Sequence, residues 1–294
     1  MSKQMLVLGG TRFFGKILVH KLLQAGHQVT IATRGTTEDS FGDQVQRIQV
    51  DRTDESALAA ALEGRSFDVV FDNICYNADE ARAAIRVFSG KIGHYVLTSS
   101  LSVYSDWAFD MAESLVDTTT LSVPPSPVGK VAYGEGKAQA EAVFFQEAPF
   151  SVSAARFPIV LGPNDYTKRL HFHVDRIQSG TSFVMPNTDA QICFVHEEEA
   201  ADFLKWLGES GVTGAFNAAS QGKPKLRELL AEIEKQSGGS VIVLPEGPEG
   251  ESSPFGIPGD WAMDTSKAEA AGFTFRSLED WLPDLIGMLV RKEA

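Results

Sequence analysis

Residues 5–15 constrain the fold more than any other segment of this chain, because they combine a short apolar run, a glycine-bearing turn and the start of a helix. Four apolar residues precede Gly9, and after Gly15 the apolar residues Leu18 and Leu22 recur at helical spacing. In such a unit Gly9 permits the tight turn and Gly15 lets the helix pack close to the strand. The N–H groups at the helix start would then face a pyrophosphate. The segment therefore predicts a dinucleotide site, with an ordinary strand-to-helix turn as the alternative.

The glycine turn departs from the dinucleotide fingerprint at one position. The fingerprint has three glycines, and Arg12 stands where the middle one is expected. The rest of the chain must therefore decide between the two interpretations. If the turn does bind a dinucleotide, its contacts come from Gly9, Thr11, Arg12, Phe13, Phe14 and Gly15.

Composition and charge narrow the class of partner. The chain has 294 residues, of which 43% are hydrophobic and 22% charged, and this is ordinary for a globular protein with a sizeable core. The 26 basic residues against 39 acidic ones give a formal net charge of -13. Such an average field repels nucleic acid and anionic membranes. We therefore expect a small-molecule partner, no nucleic acid and no membrane.

The cysteines and the apolar runs bear on the compartment. Cys75 and Cys193 are too few for a disulfide framework and lack metal-ligand spacing. No basic and apolar signal region opens the sequence, and no apolar run is long enough to span a bilayer. These features predict a cytoplasmic protein whose cysteines are core thiols and which holds no metal.

Strand and helix patterns alternate through the first half of the chain. Short apolar runs and helical periodicity predict strands at 29–32, 48–50, 67–71 and 95–97, with helices at 55–62 and 78–88. This alternation is typical of a parallel sheet covered by helices on both faces. We therefore predict an α/β fold, with a Rossmann-type doubly wound parallel sheet and a smaller C-terminal substrate lobe.

The second half of the chain is less regular and divides the molecule. We assign residues 1–165 to a dinucleotide-binding Rossmann domain, to which residues 190–220 return, and residues 166–189 and 221–294 to the substrate-binding lobe. Residues 105–130 are rich in Ser, Thr and Pro and show no sustained period. Loops of this length are usually lids or binding segments, so we predict a lid, with a mobile insertion as the alternative.

A serine, a tyrosine and a lysine are spaced as a carbonyl–alcohol redox site requires. The fifth predicted strand runs out into hydroxyl residues ending at Ser100, where open α/β sheets bind ligands. Tyr133 and Lys137 lie four residues apart and share a face of a predicted helix. A lysine ammonium and a cationic nicotinamide both favour the phenolate, so we expect the pKa of Tyr133 to fall from about 10 toward about 7. Ser100 can hold the substrate oxygen, and Lys137 can contact the nicotinamide ribose.

Four motifs in order resemble the short-chain dehydrogenase/reductase superfamily. They are GGTRFFG at 9–15, TSSLSVY at 98–104, YGEGK at 133–137 and RFPIVLGP at 156–163. The segments FVHEEEAADF at 194–203 and FNAAS at 216–220 extend the resemblance over nearly the whole chain. The closer likeness is to the extended, epimerase/dehydratase-like branch, and within it to the atypical subgroup with the glycine motif G-G-x-x-x-x-G. Members of that subgroup are described as NAD-dependent epimerases, isoflavone reductase-like proteins or RNA-binding proteins.

The resemblance assigns roles to individual residues. It implies a catalytic triad of Ser100, Tyr133 and Lys137. It also implies an adenine contact at Asp51, with Arg52 beside it. The further cofactor contacts that it implies are Ser99 and, on the nicotinamide side, Phe157, Pro158 and Ile159.

One departure from the branch bears on the reaction. Nucleotide-sugar dehydratases carry an Asp-Glu pair just after the Ser/Thr position, and here those places hold Leu101 and Ser102. A dehydratase is therefore not expected.

The candidate substrate contacts are Tyr166, Arg169 and His171, which lie where the branch begins its substrate lobe. The alternative is that they are plain surface residues. His171 and His173 alternate in a predicted helix and cannot easily face one metal.

These inferences indicate an NAD(P)-dependent oxidoreductase or epimerase that acts on a secondary alcohol or ketone, such as a sugar or a nucleotide sugar. The alternative is a non-catalytic dinucleotide-binding regulator or an RNA-associated protein on the same fold. We expect NADP in preference to NAD, because Thr33 replaces the Asp that reads the ribose hydroxyls in NAD-preferring members. Arg34 and Arg12 could then converge on the 2′-phosphate. A monomer or a homodimer is expected.

Overall fold

The centre of the protein is a parallel β-sheet, seen in a computed structural model that describes residues 2–292. The strands of the described chain are β1 (Gln4–Leu8), β2 (Gln28–Thr33), β3 (Val45–Gln49), β4 (Phe67–Asp72), β5 (Ile92–Ser100), β6 (Ser151–Phe157), β7 (Ile159–Leu161), β8 (Phe183–Val184), β9 (Phe194–His196), β10 (Gly214–Asn217) and β11 (Val243–Leu244). Seven of these strands form the central sheet in the order β10-β6-β5-β4-β1-β2-β3, and all of its pairs are parallel. The strand order reverses beside β1, which is the doubly wound arrangement. The predicted Rossmann-type α/β fold is confirmed.

Helices cover both faces of the sheet because side chains alternate along each strand. Met5 and Val7 of β1 join the hydrophobic cluster under α1 and α6, whereas Leu6 and Leu8 join the cluster under α2, α3 and α4. Each of these strand residues is at most 1% exposed. The helices of the described chain are α1 (Phe13–Gln24), α2 (Glu55–Ala61), α3 (Ala78–Phe88), α4 (Tyr133–Glu147), α5 (Arg169–Ser179), α6 (Glu197–Ser210), α7 (Leu226–Ser237), α8 (Ser266–Ala270) and α9 (Leu282–Arg291).

A third hydrophobic cluster lies between α5, α7 and α9. Val174, Ile233 and Ile286 are among its buried members, one from each helix. The short parallel pair of β8 and β11 lies beside this cluster, outside the central sheet. The cluster draws on residues that the sequence assigns to the substrate-binding lobe. The division into a lobe and a dinucleotide domain at the stated boundaries stays a prediction.

Two element boundaries differ from the sequence-based expectation. The sequence pattern predicts the last helix over 278–290, but the chain forms a 3₁₀ turn at Leu278–Asp280 before α9 begins at Leu282. Pro283 favours a helix start at this point, because its missing N–H is not needed in the first turn. The strand that the pattern predicts at 241–244 is only the two-residue β11.

Backbone and side-chain contacts at several positions hold the long loop at 105–130 against the rest of the protein. Met111 pairs with Met263 in an isolated β-bridge, and Arg82 donates from Nη1 to the carbonyl of Pro124 at 2.9 Å. Near its end, the N–H of Val128 donates to Asp79 at 2.9 Å. These contacts hold the loop in the free protein, and its action as a lid stays a prediction.

Candidate active site

The glycine turn fits a dinucleotide. Gly9 has φ of +80°, in the left-handed region that favours glycine. A Cβ on Gly15 would overlap the carbonyl oxygen of Gly9, so α1 can approach β1 this closely only with glycine there. Arg12 precedes α1 in extended conformation and makes no side-chain cap, and the first turn holds no acidic residue. The N–H groups at the start of α1 are therefore free to bind an anion such as a pyrophosphate.

A cavity of about 450 Å³ opens above this turn. It continues along the carboxyl ends of β2 and β3, which is where the adenosine half of a dinucleotide binds in doubly wound sheets. The predicted cofactor residues that border it are Gly9, Thr11, Arg12, Phe13, Phe14, Gly15, Arg34, Asp51 and Arg52.

The charges around this adenosine-side cavity are mixed. Nε of Arg12 donates to the hydroxyl of Thr37 at 3.1 Å, which places the guanidinium at the mouth of the cavity. Hydrogen bonds from Thr53, with a smaller contribution from the charge of Arg34, lower the pKa of Asp51. Asp51 is therefore an ionised acceptor, and the two arginines are available to an anionic ligand.

Arg52 has a different role from the one that its position implied. Its guanidinium is buried and donates from Nε and Nη2 to Asp72 at 2.9 and 2.7 Å. The hydroxyl of Tyr95 donates to the same carboxylate at 2.5 Å. The charge of Arg52 is thus used inside the protein, because a buried guanidinium must be paired. Other atoms of the residue border the cavity, and a cofactor contact through them stays a prediction.

A second cavity of about 480 Å³ continues from the first. Phe13, Phe14, Asn73, Tyr76 and Tyr166 border both cavities, so the two are halves of one cleft. The predicted site residues that border this second cavity are Ser99, Ser100, Tyr133, Lys137, Phe157, Pro158, Ile159, Tyr166 and Arg169.

The start of α4 brings Tyr133 to the end of β5. Tyr133 is the first residue of α4, and Ser100 is the last residue of β5. A Cβ on Gly134 would overlap the backbone of Ser102, and one on Gly136 would approach the carbonyl oxygen of Tyr76 to 2.5 Å. The glycines of the YGEGK motif therefore let α4 dock directly against the two loops that border the cavity.

Lys137 joins three elements beneath the cavity. It is 1% exposed, and its Nζ donates to the carbonyls of Cys75 at 2.7 Å and Thr98 at 2.8 Å. The ammonium also lies 4.6 Å from the ring centroid of Tyr76. Burial lowers the pKa of Lys137. The lysine thus fixes α4 to β5 and to the loop after β4.

The expected fall in the pKa of Tyr133 is wrong for the protein without a cofactor. Although 54% of Tyr133 is exposed, it lies in a concave cleft, and this partial burial raises its pKa. A hydrogen bond with Ser100 and the charge of Arg169 act in the opposite direction. Lys137 Nζ lies 5.9 Å from the Tyr133 ring centroid, and it donates to two carbonyls instead of the phenol.

We predict that Lys137→Met lowers the stability of the protein as well as its activity. The substitution leaves the buried carbonyls of Cys75 and Thr98 without this donor. Each such loss costs about 1–3 kcal/mol of the free energy of unfolding. Urea denaturation measures this loss, and the exposed Lys130→Met is the control. Equal stability of the two variants would show that the ammonium does not hold the elements together.

The side chains of two predicted site residues are not directed into the cleft as expected from the sequence. The hydroxyl of Ser99 donates to Glu141 in the interior, so its hydrogen is not available to a cofactor, and a contact through its other atoms stays a prediction. His171 does not border either cavity, because it lies two positions from Arg169 on α5 and faces another direction. Its role as a substrate contact stays a prediction, which the two cavities do not support.

Sequence reasoning missed several residues that border the cleft, among them two that follow β4 and two from a distant loop. Asn73 and Tyr76 directly follow β4, and the carboxyl ends of parallel strands are where ligands bind. That signal could have found them. Pro254 and Trp261 border the second cavity from a distant loop, and no local pattern marks them.

Both cysteines lie in the interior of the described chain. Cys75 and Cys193 are buried, and burial raises the pKa of each thiol to about 12. Within residues 2–292 no group of three or more His, Cys, Asp and Glu side chains is arranged to hold a metal ion. Over the same residues, no helix has the length and apolar character needed to cross a membrane.

Known proteins resemble this chain in sequence and in fold. Residues 5–83 match the NAD dependent epimerase/dehydratase family. The chain is 27% identical over 238 residues to chloroplast stem-loop binding protein of 41 kDa b from Arabidopsis thaliana, covering 75% of this chain and 59% of the relative. It thus spans about three fifths of that curated relative's length.

Two solved structures share the fold over nearly the whole chain. A putative epimerase from Burkholderia cenocepacia has a TM-score of 0.75 and 18% identity, with 99% of each chain covered. The UDP-glucose 4-epimerase of Thermus thermophilus in complex with NAD has a TM-score of 0.71 and 19% identity, with 98% of each chain covered. The family match bears out the resemblance of residues 5–83 to the NAD dependent epimerase/dehydratase family, and the two solved structures show that the fold is shared over nearly the whole chain.

Proposed function

We propose that this protein is an NAD(P)-dependent enzyme that oxidises, reduces or epimerises a secondary alcohol or ketone of a sugar-like substrate. The observation that carries the proposal is that Ser100, Tyr133 and Lys137 border one cavity, which continues into a glycine-lined cradle for a pyrophosphate. The family match over residues 5–83 and the NAD complex of the Thermus epimerase support a nicotinamide dinucleotide.

The side chains of the second cavity divide the work of proton transfer. Bound in this cleft, the nicotinamide would supply the hydride donor or acceptor. The phenol of Tyr133 gives a proton to the carbonyl oxygen in reduction and takes it from the hydroxyl in oxidation. Ser100 holds that oxygen, and its Oγ already accepts the N–H of Ser102 at 3.1 Å. Lys137 keeps α4, and with it Tyr133, in position.

A turnover screen tests this proposal. The protein is incubated with NADPH and a panel of keto sugars, and with NADP and the matching alcohols. The absorbance of the reduced cofactor follows net oxidation or reduction, and NMR spectra of the alcohols follow epimerisation, which leaves that absorbance unchanged. We expect turnover of at least one member. Cofactor binding with neither net hydride transfer nor epimerisation of any panel member would favour a non-catalytic dinucleotide-binding regulator.

We further propose that the enzyme prefers NADP to NAD. Arg34 and Arg12 border the adenosine-side cavity, and β2 ends in Thr33 without an acidic residue. Each charge-assisted contact to a 2′-phosphate contributes about 1.5–3 kcal/mol before desolvation.

Calorimetric titration measures this cofactor preference. We expect NADP to bind at least about tenfold more tightly than NAD, which is about 1.4 kcal/mol. Arg34→Asp should reverse the order, whereas the exposed Arg65→Asp, outside the cavity, should keep it. Equal affinities in the wild type would show that neither arginine reads the 2′ position.

An RNA-associated protein is the second candidate, because the Arabidopsis relative is named a stem-loop binding protein. The net charge of -13 opposes it. Binding to a stem-loop RNA that weakens steeply with salt, together with absent turnover, would favour this candidate. The cytoplasmic location and the monomeric or homodimeric state stay predictions.

A further inference from the structure

The substrate end of the second cavity is mostly aromatic and apolar. Beyond Ser100 and Tyr133 it is bordered by Pro254 and Trp261, and Tyr166 lies where this cavity meets the first one. Among the described residues that border this cavity none is Asp or Glu. A cationic substrate therefore meets no countercharge here, whereas a flat apolar or sugar-like ring meets aromatic walls.

Arg169 brings a positive charge to this end of the cavity. Its Nη2 donates to the carbonyl of Val160 at 3.1 Å, and its Nε lies 3.5 Å from Asp165. Asp165 is buried and also accepts the N–H of Thr167 at 3.0 Å, so the guanidinium has a fixed support. Within the described chain, Nη1 of Arg169 makes no hydrogen bond, and 28% of the side chain is exposed. The guanidinium thus keeps donors for a ligand.

Lys137, the other cation that borders this cavity, is committed to the protein. Its ammonium is buried and donates to two backbone carbonyls. Arg169 is therefore the cation that remains for a substrate among the described residues of this cavity. One guanidinium matches one carboxylate or one phosphate in a bidentate pair, whereas a nucleotide diphosphate brings two phosphates.

Trp261, which borders the cavity, is held in place by contacts between its own segment and the long loop at 105–130. The ring of Trp261 lies 5.0 Å from that of Trp107, centroid to centroid. Next to it, the N–H of Ala262 donates to the carbonyl of Ala108 at 3.2 Å, and the N–H of Met111 donates to the carbonyl of Ala262 at 3.0 Å. These contacts fix the position of Trp261 at the border of the cavity.

We infer that the substrate is a compact hydroxy or keto compound with a single oxyanionic group, a carboxylate or a phosphate monoester, which Arg169 binds. The inference rests on the proposed function and narrows it, because it excludes nucleotide sugars as the preferred substrates. The aromatic walls hold the body of the substrate, and Arg169 orients its reacting carbon toward Tyr133 and Ser100.

Calorimetry on the full chain, saturated with NADP, tests the inference. The probes are compact hydroxy acids and sugar phosphates, each with its neutral counterpart, such as glucuronate and glucose 6-phosphate against glucose. UDP-glucose represents the nucleotide sugars. We expect at least one anionic probe to bind tenfold or more tightly than its counterpart and than UDP-glucose. The carboxylate and phosphate arms show which oxyanion is preferred.

Two variants assign the preference to its residue. Arg169→Gln should reduce the preference for the anionic probe to twofold or less. Lys168→Gln, which removes the same charge from the neighbouring exposed residue outside the cavity, should keep the preference. A preference that survives in Arg169→Gln would overturn the assignment.

Other outcomes separate the inference from the proposed function. If no anionic probe exceeds its neutral counterpart, or if UDP-glucose binds most tightly, the inference is wrong, while turnover of a neutral ketone would still support the enzyme. An Arg169-dependent oxyanion preference without hydride exchange would support the inferred binding site and contradict the proposed enzyme.

Discussion

Replacing Tyr133 with Phe is expected to lower turnover at least about 100-fold, because proton transfer by a positioned side chain typically contributes that much. The phenol oxygen is lost, while the ring keeps its place 6.4 Å from the ring of Tyr76. No contact of the glycine turn changes, so the affinity for NADP should stay within about twofold, or about 0.4 kcal/mol.

Steady-state kinetics and calorimetry on the same preparations separate these two effects. Tyr166→Phe removes a hydroxyl from the wall of the same cavity and is expected to change KM more than kcat. If Tyr133→Phe keeps turnover near that of the wild type, Tyr133 does not transfer the proton. If both variants lose turnover equally, the effect belongs to the cavity and not to the phenol.

Glu141→Ala is expected to lower the free energy of unfolding by about 3–5 kcal/mol, the usual cost of leaving a buried charge without its partner. Arg156 Nη2 lies 2.7 Å from Glu141 Oε2, and the two side chains are 1% and 0% exposed. Glu141 also accepts the hydroxyl of Ser99 and, at 3.1 Å, that of Thr118. The carboxylate therefore ties α4 to β5, to β6 and to the long loop.

Urea denaturation measures the loss, with Glu147→Ala as the matched control. Glu147 ends the same helix and pairs with Arg82 at 3.2 Å, but its side chain is 45% exposed. Pairs of that kind contribute about 1 kcal/mol or less. A Glu141 variant that is no less stable than the Glu147 variant would show that the buried pair does not hold α4 in place.

The parts of the site that follow from local pattern could be predicted from the sequence. Strand, turn and helix around Gly9 depend on an apolar run and helical spacing within about one βαβ unit. The four-residue spacing of Tyr133 and Lys137 fixes their common face once the helix is known. Ser100 could be predicted as a site residue because ligand-binding residues lie at the carboxyl ends of parallel strands.

The contacts that each polar side chain chooses could not be predicted in the same way. Arg52 pairs with Asp72, twenty residues away, and Ser99 with Glu141, 42 residues away. Such partners depend on how β4, β5 and α4 pack, and a buried polar group takes whichever partner the packing supplies. The sequence pattern carried no information on these choices, and whether either residue also contacts a cofactor stays a prediction.

The residues that form the wall of the cleft also depend on tertiary packing and could not be predicted from local pattern. Trp261 borders the second cavity from beyond α7, and its neighbours there are set by the pairing of the chain near Met263 with the long loop. The pKa of Tyr133 also depended on tertiary contacts. Spacing predicted a lysine beside the phenol, but two backbone carbonyls take the ammonium, and burial raises the pKa instead.

The titration of the Tyr133 phenol tests most directly whether this cleft places a nicotinamide beside Tyr133. Burial raises the pKa of Tyr133 above its ordinary value of 10.0 in the free protein. The oxidised nicotinamide is cationic and favours the phenolate, so it should lower this pKa, whereas the neutral reduced form should not. The tyrosinate absorbance of the wild type minus that of Tyr133→Phe, recorded after rapid pH jumps, isolates the residue. We expect the pKa of Tyr133 to be lower with NADP bound than with NADPH bound; identical titrations with the two forms of the cofactor would contradict the proposed site.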